Sequence, residues 1–434
     1  MPFALSDLLN LGRVLLLGVL VGVACWPLNQ VDMLQDRLLG LLPAVGGEAW
    51  NLTSLLFALA PLPVMPLLLW LQQGPWAAGA GSGIPQTMDA LGSPEGARRQ
   101  LGPRPTAARL GLWTIASLAL FPLGREGPVV QLGASVAAAL QRRLPRLAPC
   151  FEPELVLAMG AGAGLAGGFN SPLMGALFVM EELTRRFLPR ILWPSLLVCV
   201  AAAMVSNLGG IPLFPLGMVS TDAPEWRQLL WALLVGSLTG LLGGLFSRTL
   251  LAVRDALRPW LVRRPVALGL ALGAALALMA VLSGGWSGGD GEVLMQRLLE
   301  RQGPLPAEPS ARAIVDWLLL LLSRVLAPVL ALAAGVPGGL IDPSLTVGAL
   351  FGGGVLHMLG GETALGVALG MAGALAGATQ LPLTTAVFAI KLGGDQQWLL
   401  GIVLSAALGA EVGRRLQAEP VYHALRGPRG GRRE

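Results

Sequence analysis

The sequence predicts an all-α polytopic membrane protein that consists of two related halves with tilted, broken and re-entrant helices. Of its 434 residues, 54% are hydrophobic and 13% are charged, whereas a soluble domain carries about 25% charged residues. The 59 glycines and 33 prolines are many for simple membrane helices and favour interrupted or closely packed ones. Two motifs also recur, in order, in the second half of the chain.

The apolar stretches give the candidate helices in chain order. Several are shorter than the ~20 residues that a straight helical crossing requires, so we expect tilted and half-length helices. The first stretch lacks a clear cleavage site, and we interpret it as a retained helix rather than a signal peptide. The stretches are 14–27, 54–71, 110–123, 154–180, 191–205, 228–247, 266–283, 314–334, 344–358, 363–378 and 381–404.

The recurring motifs indicate an internal duplication. Segment 124–134 is echoed by 339–349, and segment 165–178 by 375–388, at offsets of about 215 and 210 residues. Similar offsets in the same order indicate two related halves; chance matching in a sequence rich in Ala, Gly and Leu is the alternative. Whether the second copy is inverted depends on the number of crossings per copy, which the sequence leaves open. We predict one transmembrane domain, 1–434, with repeat 1 at 1–215, a boundary near 209–226, repeat 2 at 216–425, and a short cytoplasmic tail at 426–434.

The positive charge comes from arginine, because Lys391 is the only lysine and the net charge is +5. The arginines lie in loops, which indicates topology setting by the positive-inside bias and not nucleic-acid binding. We expect the arginines of the C-terminal tail to be cytoplasmic: Arg426, Arg429, Arg432 and Arg433.

Side chains with metal, redox or nucleophilic chemistry are few. The cysteines Cys25, Cys150 and Cys199 have no paired spacing, and the histidines His357 and His423 stand alone. This pattern favours neither a disulfide framework nor a metal site. Since no nucleophile and base stand at useful spacing, we expect no enzymatic activity and no cofactor.

Three segments combine glycines, a proline and a following apolar run: 81–85, 124–128 and 338–343. Proline suits the first turn of a helix, and glycine lets the backbone turn and approach another group. The result is a helix N-terminus with free N–H groups and a positive dipole end, which suits an anion. Three such segments in one membrane chain predict a buried anion site; helix breaking for packing is the alternative.

Two polar residues lie inside these segments. A carboxylate at Glu126 costs roughly 2.5–3.5 kcal/mol at the bilayer centre, so the residue is a functional candidate. It could occupy the position of an anion and leave it on protonation; alternatively it caps its own helix or pairs with Arg125. The Arg125 pairing is the weaker alternative because adjacent residues on a helix do not face each other. Ser82 either donates its hydroxyl to an anion or serves as a helix N-cap.

Two further sites are open to two interpretations each. Glu181 and Glu182 form either a solvated helix end paired with Arg185-Arg186 or a proton entry point from the aqueous side. Tyr422, the only tyrosine, follows the last apolar stretch. The residues by themselves favour an interfacial anchor for it.

Taken together, these residues resemble the CLC family of chloride channels and chloride/proton exchangers. The resemblance runs from about residue 78 to 425 and rests on motifs in family order. The motifs are GSGIP at 81–85, GREGP at 124–128, the run from Phe169 to Glu182, Pro337-Gly338-Gly339, Pro343, and Pro420-x-Tyr422.

The resemblance implies a homodimer with one pore in each subunit and about eighteen helices per subunit in two inverted halves. It implies that Ser82 and Tyr422 coordinate a central anion together with backbone amides at Arg125, Glu126 and Gly127 and at Leu340 and Ile341. Glu126 would be the gating glutamate at the outer side. Glu182 would be the internal proton-transfer glutamate, which family channels usually lack, and this favours an exchanger.

The sequence departs from the family at four positions. Ile341 stands where phenylalanine is common, and Asp342 stands where a small residue is usual. Asp342 is either an N-cap before Pro343 or a second titrating group that faces the pore. Met88 and Lys391 replace residues that are commonly acidic.

We therefore expect a multi-pass chloride/proton antiporter of the bacterial inner membrane, with chloride, protons, membrane lipid and a second copy as its partners. A passive chloride channel of the same fold is the first alternative. A fluoride/proton antiporter is the second, and Ser82 argues against it because the fluoride branch usually lacks this serine. A membrane enzyme or a cation-coupled solute carrier is a more distant alternative.

Overall fold

The computed structural model describes residues 5–208, 226–305 and 310–426. Within these ranges the regular structure is helical, which confirms the all-α prediction, and one antiparallel bridge joins Gly124 to Gly339. The predicted boundary region, 209–226, lies outside the described residues except for Trp226, and so does the tail beyond Arg426. The α-helices are α1 Leu5–Leu39, α2 Pro43–Gly46, α3 Leu52–Leu59, α4 Pro61–Gln73, α5 Ile84–Leu91, α6 Pro94–Gln100, α7 Pro103–Leu118, α8 Glu126–Arg143, α9 Pro153–Phe169, α10 Pro172–Phe178, α11 Pro189–Ser206, α12 Arg227–Arg263, α13 Pro265–Leu282, α14 Glu292–Leu299, α15 Ala311–Ala333, α16 Ile341–Met358, α17 Thr363–Thr379, α18 Pro382–Gly393, α19 Leu399–Leu416 and α20 Val421–Leu425.

The helices fall into long lipid-facing candidates and short interior ones. Three shorter apolar helices are Pro153–Phe169, Thr363–Thr379 and Pro382–Gly393. The first two are buried along most of their length, which agrees with the prediction of half-length helices. Among the described residues, six segments are long and apolar enough to cross a membrane: Ser6–Leu39, Leu52–Gln73, Pro189–Ser206, Arg227–Arg263, Pro265–Leu282 and Ala311–Ala333.

Small residues allow the interior helices to pack backbone to backbone. A Cβ atom added at Gly160 of α9 would lie 2.6 Å from the carbonyl oxygen of Gly133 in α8. In the second half, a Cβ atom added at Gly352 of α16 would lie 2.8 Å from the Cα atom of Gly370 in α17. Close contact of this kind is typical of membrane helix pairs, which gain little from hydrophobic burial against one another.

The two echoes in the sequence lie on corresponding helices of the two halves. Helices α8 and α16 have 18 residues each and α9 and α17 have 17 each, whereas α10 and α18 have 7 and 12; outside the echoes, α11 and α19 have 18 each. Their packing also repeats, since α8 contacts α9 as α16 contacts α17, and α9 contacts α11 as α17 contacts α19. These pairs support a duplication; the limits 1–215 and 216–425 stay a prediction.

The halves meet at the glycines of the first echo. Gly124 N–H donates to the Gly339 carbonyl at 3.2 Å, and Gly339 N–H donates to the Gly124 carbonyl at 2.8 Å. Two equivalent residues that exchange both hydrogen bonds in antiparallel directions are related by a local two-fold axis, as expected for inverted copies. Because α8 and α16 begin two residues after these glycines, the bridge brings their N-termini together.

Candidate ion site

Three helix N-termini lie close together in the folded protein. Helices α8 and α16 begin beside the glycine bridge, and α5 begins against α8: a Cβ atom at Gly83 would lie 3.1 Å from the Cα atom of Gly127. Each helix has a proline within its first three residues, namely Pro85, Pro128 and Pro343, as predicted. The positive dipole ends of the three helices therefore point toward one region, which suits a negative charge.

The Glu126 carboxylate lies within this region. Glu126 is completely buried, and its Oε1 accepts the Asp342 N–H at 2.7 Å. No hydrogen bond reaches its Oε2 from the described residues. A Cβ atom at Gly124 or at Gly339 would overlap this carboxylate, so the two bridging glycines leave the space in which it sits. The negative charge of Glu126 thus interacts with the N-terminus of α16, where an anion would also bind.

Ser82 and Tyr422 present hydroxyls without a hydrogen-bond partner among the described residues. The N-cap of α5 is Gly83, whose N–H donates to the Gln86 side chain at 2.8 Å, so the N-cap alternative for Ser82 is wrong. Ser82 instead lies against α8, since a Cβ atom at Gly127 would lie 2.7 Å from its Oγ. The Ser82 hydroxyl is therefore free to donate to an anion.

Tyr422 lies on α20 and is completely buried. The interfacial-anchor interpretation is wrong, because an anchor keeps its hydroxyl at the headgroup level. Its hydroxyl is buried and has no hydrogen-bond partner among the described residues, which is compatible with a role in holding an anion.

Asp342 is not the N-cap of α16, which was one of the two interpretations of this residue. The N-cap is Leu340, without a side-chain hydrogen bond, and Asp342 is the second residue of the helix. Because the chain enters the helix directly after Gly339, Asp342 falls in the first turn and its N–H is available to Glu126. Asp342 is 4% exposed, and its Oδ2 has no hydrogen-bond partner in the described ranges. Ile341 is 2% exposed within the hydrophobic core.

The Arg125 side chain links the start of α8 to α1 and α14. Its guanidinium forms an ion pair with Asp32 of α1 and lies 3.4 Å from Glu292 of α14 and 4.9 Å from the centre of the Phe169 ring. The pairing of Arg125 with Glu126 that was considered as an alternative is not among its contacts. Any contribution of Arg125 to anion binding would come from its backbone amide.

Three carboxylates around Arg125 offer the geometry of a cation site. Asp32, Asp290 and Glu292 place oxygens within 4.8 Å of one another. The Arg125 guanidinium contacts two of these residues. The Arg125 guanidinium therefore offsets part of the negative charge of this cluster.

Glu181 and Glu182 do not form the solvated helix end that was considered for them. Glu181 caps α18: its Oε1 accepts from Leu383 N–H at 3.1 Å and its Oε2 accepts from Thr384 N–H at 2.8 Å. Glu182 is 2% exposed in the π-helical turn Val179–Leu183. The Glu182 Oε1 lies 3.3 Å from Nε2 of His423, a residue that the sequence marked only as an isolated histidine.

Two buried arginines position the loops around the site, and sequence reasoning missed both. Arg109 donates to the carbonyls of Ala80 at 2.9 Å and Gly81 at 3.1 Å, next to Ser82, and also to Gln131 of α8. Arg324 donates to the carbonyls of Gly288 and Gly289, both at 2.9 Å. The two arginines are separated by the same offset of about 215 residues as the first echo, and this offset was the signal in the sequence that could have identified them.

Lys391 has a structural contact that accounts for one departure from the family pattern. Its Nζ donates to the Phe169 carbonyl at 2.9 Å, at the last residue of α9. A cation at a helix C-terminus satisfies a free carbonyl and the negative end of the dipole. Lys391 therefore links the second half to the end of α9.

Comparisons with known proteins add to this geometry. The model of a family described as voltage gated chloride channel matches residues 64–414. The H(+)/Cl(-) exchange transporter ClcA of Salmonella typhimurium is 27% identical over 433 residues, which cover 94% of this chain and 85% of the relative. The transporter of the same name from Cronobacter sakazakii is 27% identical over 442 residues, which cover 91% and 88%.

Solved structures share the fold. A slow cyanobacterial Cl-/H+ antiporter superposes with a TM-score of 0.74 at 22% identity and covers 96% of this chain and 97% of the antiporter. A CLC-type fluoride/proton antiporter superposes with a TM-score of 0.73 at 23% identity, with 95% and 97% covered. These likenesses establish the helical architecture that was predicted.

Proposed function

The chain belongs to the voltage-gated chloride channel family, and from this premise we propose that it is an antiporter that exchanges chloride for protons. The observation that carries the proposal is the Glu126 carboxylate, buried against the Asp342 N–H where three helix N-termini meet. The matching relatives named as H(+)/Cl(-) exchange transporters support the same function. A channel needs no second buried glutamate, whereas Glu182 suits the transfer of protons.

In the proposed mechanism, chloride binds between the helix N-termini. Backbone amides at Arg125, Glu126 and Gly127 and at Leu340 and Ile341 would hold it, together with the hydroxyls of Ser82 and Tyr422. These two hydroxyls are buried and lack a hydrogen-bond partner in the described parts of the chain. Amide and hydroxyl dipoles that are already oriented replace the water shell of the anion without a compensating buried cation.

Glu126 would couple the two ions. As a carboxylate it competes with chloride for the N-terminus of α16, because both are anions. Once protonated it loses most of this attraction and leaves the site to chloride. Glu182 would supply protons from the opposite side, along a route that is separate from the anion path. Asp342 would be a second titrating group, since it lies in the first turn of α16 and its N–H donates to Glu126.

The setting that we propose is the bacterial inner membrane, where the protein would act as a homodimer with one pore in each subunit. The six long apolar segments support insertion in a membrane. We assign the protein no enzymatic activity. Among other anions, fluoride is the second candidate because one solved fluoride/proton antiporter shares the fold; the free Ser82 hydroxyl favours chloride.

The test uses purified protein in liposomes with an outward chloride gradient and an external pH electrode. We expect chloride to drive protons against their own gradient. Glu182→Gln should stop proton movement and spare chloride flux. Chloride flux without proton movement in the unmodified protein would contradict the antiporter proposal and indicate a channel; fluoride flux without chloride flux would contradict the choice of anion.

A further inference from the structure

We propose that His423 carries protons between the aqueous phase and Glu182, an inference that rests on the proposed exchange of chloride for protons. The Glu182 side chain is 1% exposed, so water has almost no access to its carboxylate. The His423 side chain is 19% exposed, and its Nε2 lies 3.3 Å from Glu182 Oε1. A group that exchanges protons with Glu182 must approach hydrogen-bonding distance of its carboxylate and also reach water, and His423 meets both requirements.

The same nitrogen of His423 has a second contact. The Nη2 of Arg185 lies 2.7 Å from His423 Nε2. A guanidinium only donates hydrogen bonds, so Nε2 accepts this one and carries no proton in this arrangement. His423 is therefore in its neutral form, with its hydrogen on Nδ1, while the contact with Arg185 lasts.

The two contacts of Nε2 cannot both be hydrogen bonds at the same time. When Nε2 binds a proton it can no longer accept from Arg185, and its new N–H can donate to Glu182 Oε1. Arg185 is exposed on the protein surface, so it can turn into water when the contact breaks. Arg185 and Glu182 thus act as the donor and acceptor partners of two alternative states of one imidazole.

Other charges around His423 are already paired. Helix α20 packs against α5, α12 and α17, and α17 contains no charged residue. The Arg426 Nε lies 2.7 Å from Asp89 Oδ1 of α5, and Arg254 of α12 pairs with Asp255 at 2.8 Å while it donates to the Ala424 carbonyl. Since these pairs are close to neutral as units, Glu182 and Arg185 are the charged groups that contact the His423 imidazole directly.

The proton transfer has two steps and conserves one proton. A proton from water binds to His423 Nε2, and the hydrogen bond from Arg185 breaks. The Nε2 proton then passes to Glu182 Oε1, the imidazole becomes neutral, and Arg185 donates to Nε2 again. The reverse order returns a proton to water. Histidine suits this role because its ordinary pKa of about 6.5 allows it to gain and lose a proton at physiological pH.

The test compares proton and chloride flux in liposomes at equal pH on both sides, from pH 5 to 8. In the unmodified protein, proton flux should fall as the pH rises, because His423 must bind a proton from water before it can pass one to Glu182. His423→Gln should lower proton flux roughly tenfold or more and leave chloride flux within about twofold, so that fewer protons move per chloride. The matched control is His357→Gln, which removes the only other histidine and should leave both fluxes unchanged.

Arg185→Gln is a second, independent variant. Loss of the competing donor and its positive charge should move the midpoint of the proton flux to higher pH, a result that a purely structural role of His423 would not produce. The assignment of His423 is overturned if His423→Gln moves as many protons per chloride as the unmodified protein, with the same pH profile. It is also overturned if the midpoint of the proton flux in Arg185→Gln stays at the pH of the unmodified protein. If the unmodified protein moves no protons with chloride, the proposed antiport itself fails; if it does and only the variants behave as unmodified, the failure is confined to His423.

Discussion

Replacing Glu126 by glutamine tests the competition between the carboxylate and the anion. In the structure, Oε1 of Glu126 accepts one hydrogen bond from Asp342 N–H at 2.7 Å. A hydrogen bond to a charged group contributes about 1.5–3 kcal/mol and one between neutral groups about 0.5–1.5 kcal/mol. Glutamine keeps the size and loses the charge, so the competitor should bind the α16 N-terminus about 1–1.5 kcal/mol more weakly.

This difference predicts a measurable change in chloride affinity. About 1.4 kcal/mol corresponds to a factor of ten, so Glu126→Gln should bind chloride roughly tenfold more tightly at pH 7 in isothermal titration calorimetry. In the unmodified protein, affinity should rise as the pH falls, because protonation removes the competing charge; in the variant this dependence should disappear. Glu154→Gln is the matched control, since Glu154 lies in the first turn of α9 but is exposed.

The flux assay gives the second readout of the same variant. Glu126→Gln should carry chloride without protons, as a permanently neutral gate would. Retained proton coupling, or a chloride affinity that still follows pH as in the unmodified protein, would refute the competition between Glu126 and chloride.

Three further variants test individual groups. Tyr422→Phe removes one buried hydroxyl donor and should weaken chloride binding by about 1.5–3 kcal/mol in calorimetry; unchanged affinity would leave Tyr422 a packing role only. Asp342→Asn should alter the pH dependence of exchange if its unpaired Oδ2 belongs to a titrating carboxyl at the site, and an unaltered profile would exclude that role. Arg109→Met removes the donor that holds Ala80, Gly81 and Gln131 and should destabilise the protein by about 1–3 kcal/mol for each acceptor left unsatisfied, seen as a lower unfolding temperature in detergent; unfolding at the original temperature would show that the loop before α5 does not depend on Arg109.

Local features of the fold were predictable because they depend on neighbouring residues. The prolines at 85, 128 and 343 do stand in first helical turns, the position that proline favours because its missing N–H has no partner to lose there. The short apolar stretches do form short buried helices. Assignment of caps was less successful: Ser82 lies one residue before the N-cap of α5 and Asp342 lies two residues after the N-cap of α16, because helix boundaries shift by one or two residues with tertiary context.

The contacts between residues that are distant in the chain could not be predicted from the sequence. Glu181 could have paired with an arginine four residues later on its own helix, but it caps α18 instead. Two N–H groups at the N-terminus of a helix that have no intrahelical partner cost free energy unless another group accepts from them. Only the packed structure brings the N-terminus of α18 to Glu181. His423 approaches Glu182 for the same kind of reason, since α20 packs across the chain near the π-helical turn.

The sequence by itself determined that this is a helical membrane protein with a duplicated organisation, glycine–proline helix starts and an ionisable residue at one of them. Composition, local conformational preference and repetition encode these properties, and each can be judged within a short segment. Tertiary structure alone decided that Glu126 binds the helix start of the other half, that two equivalent glycines form the bridge beside it, and that one imidazole lies between Arg185 and Glu182. Such contacts join residues that are far apart in the chain, and only the simultaneous packing of both halves selects them from the many pairings that local preference permits.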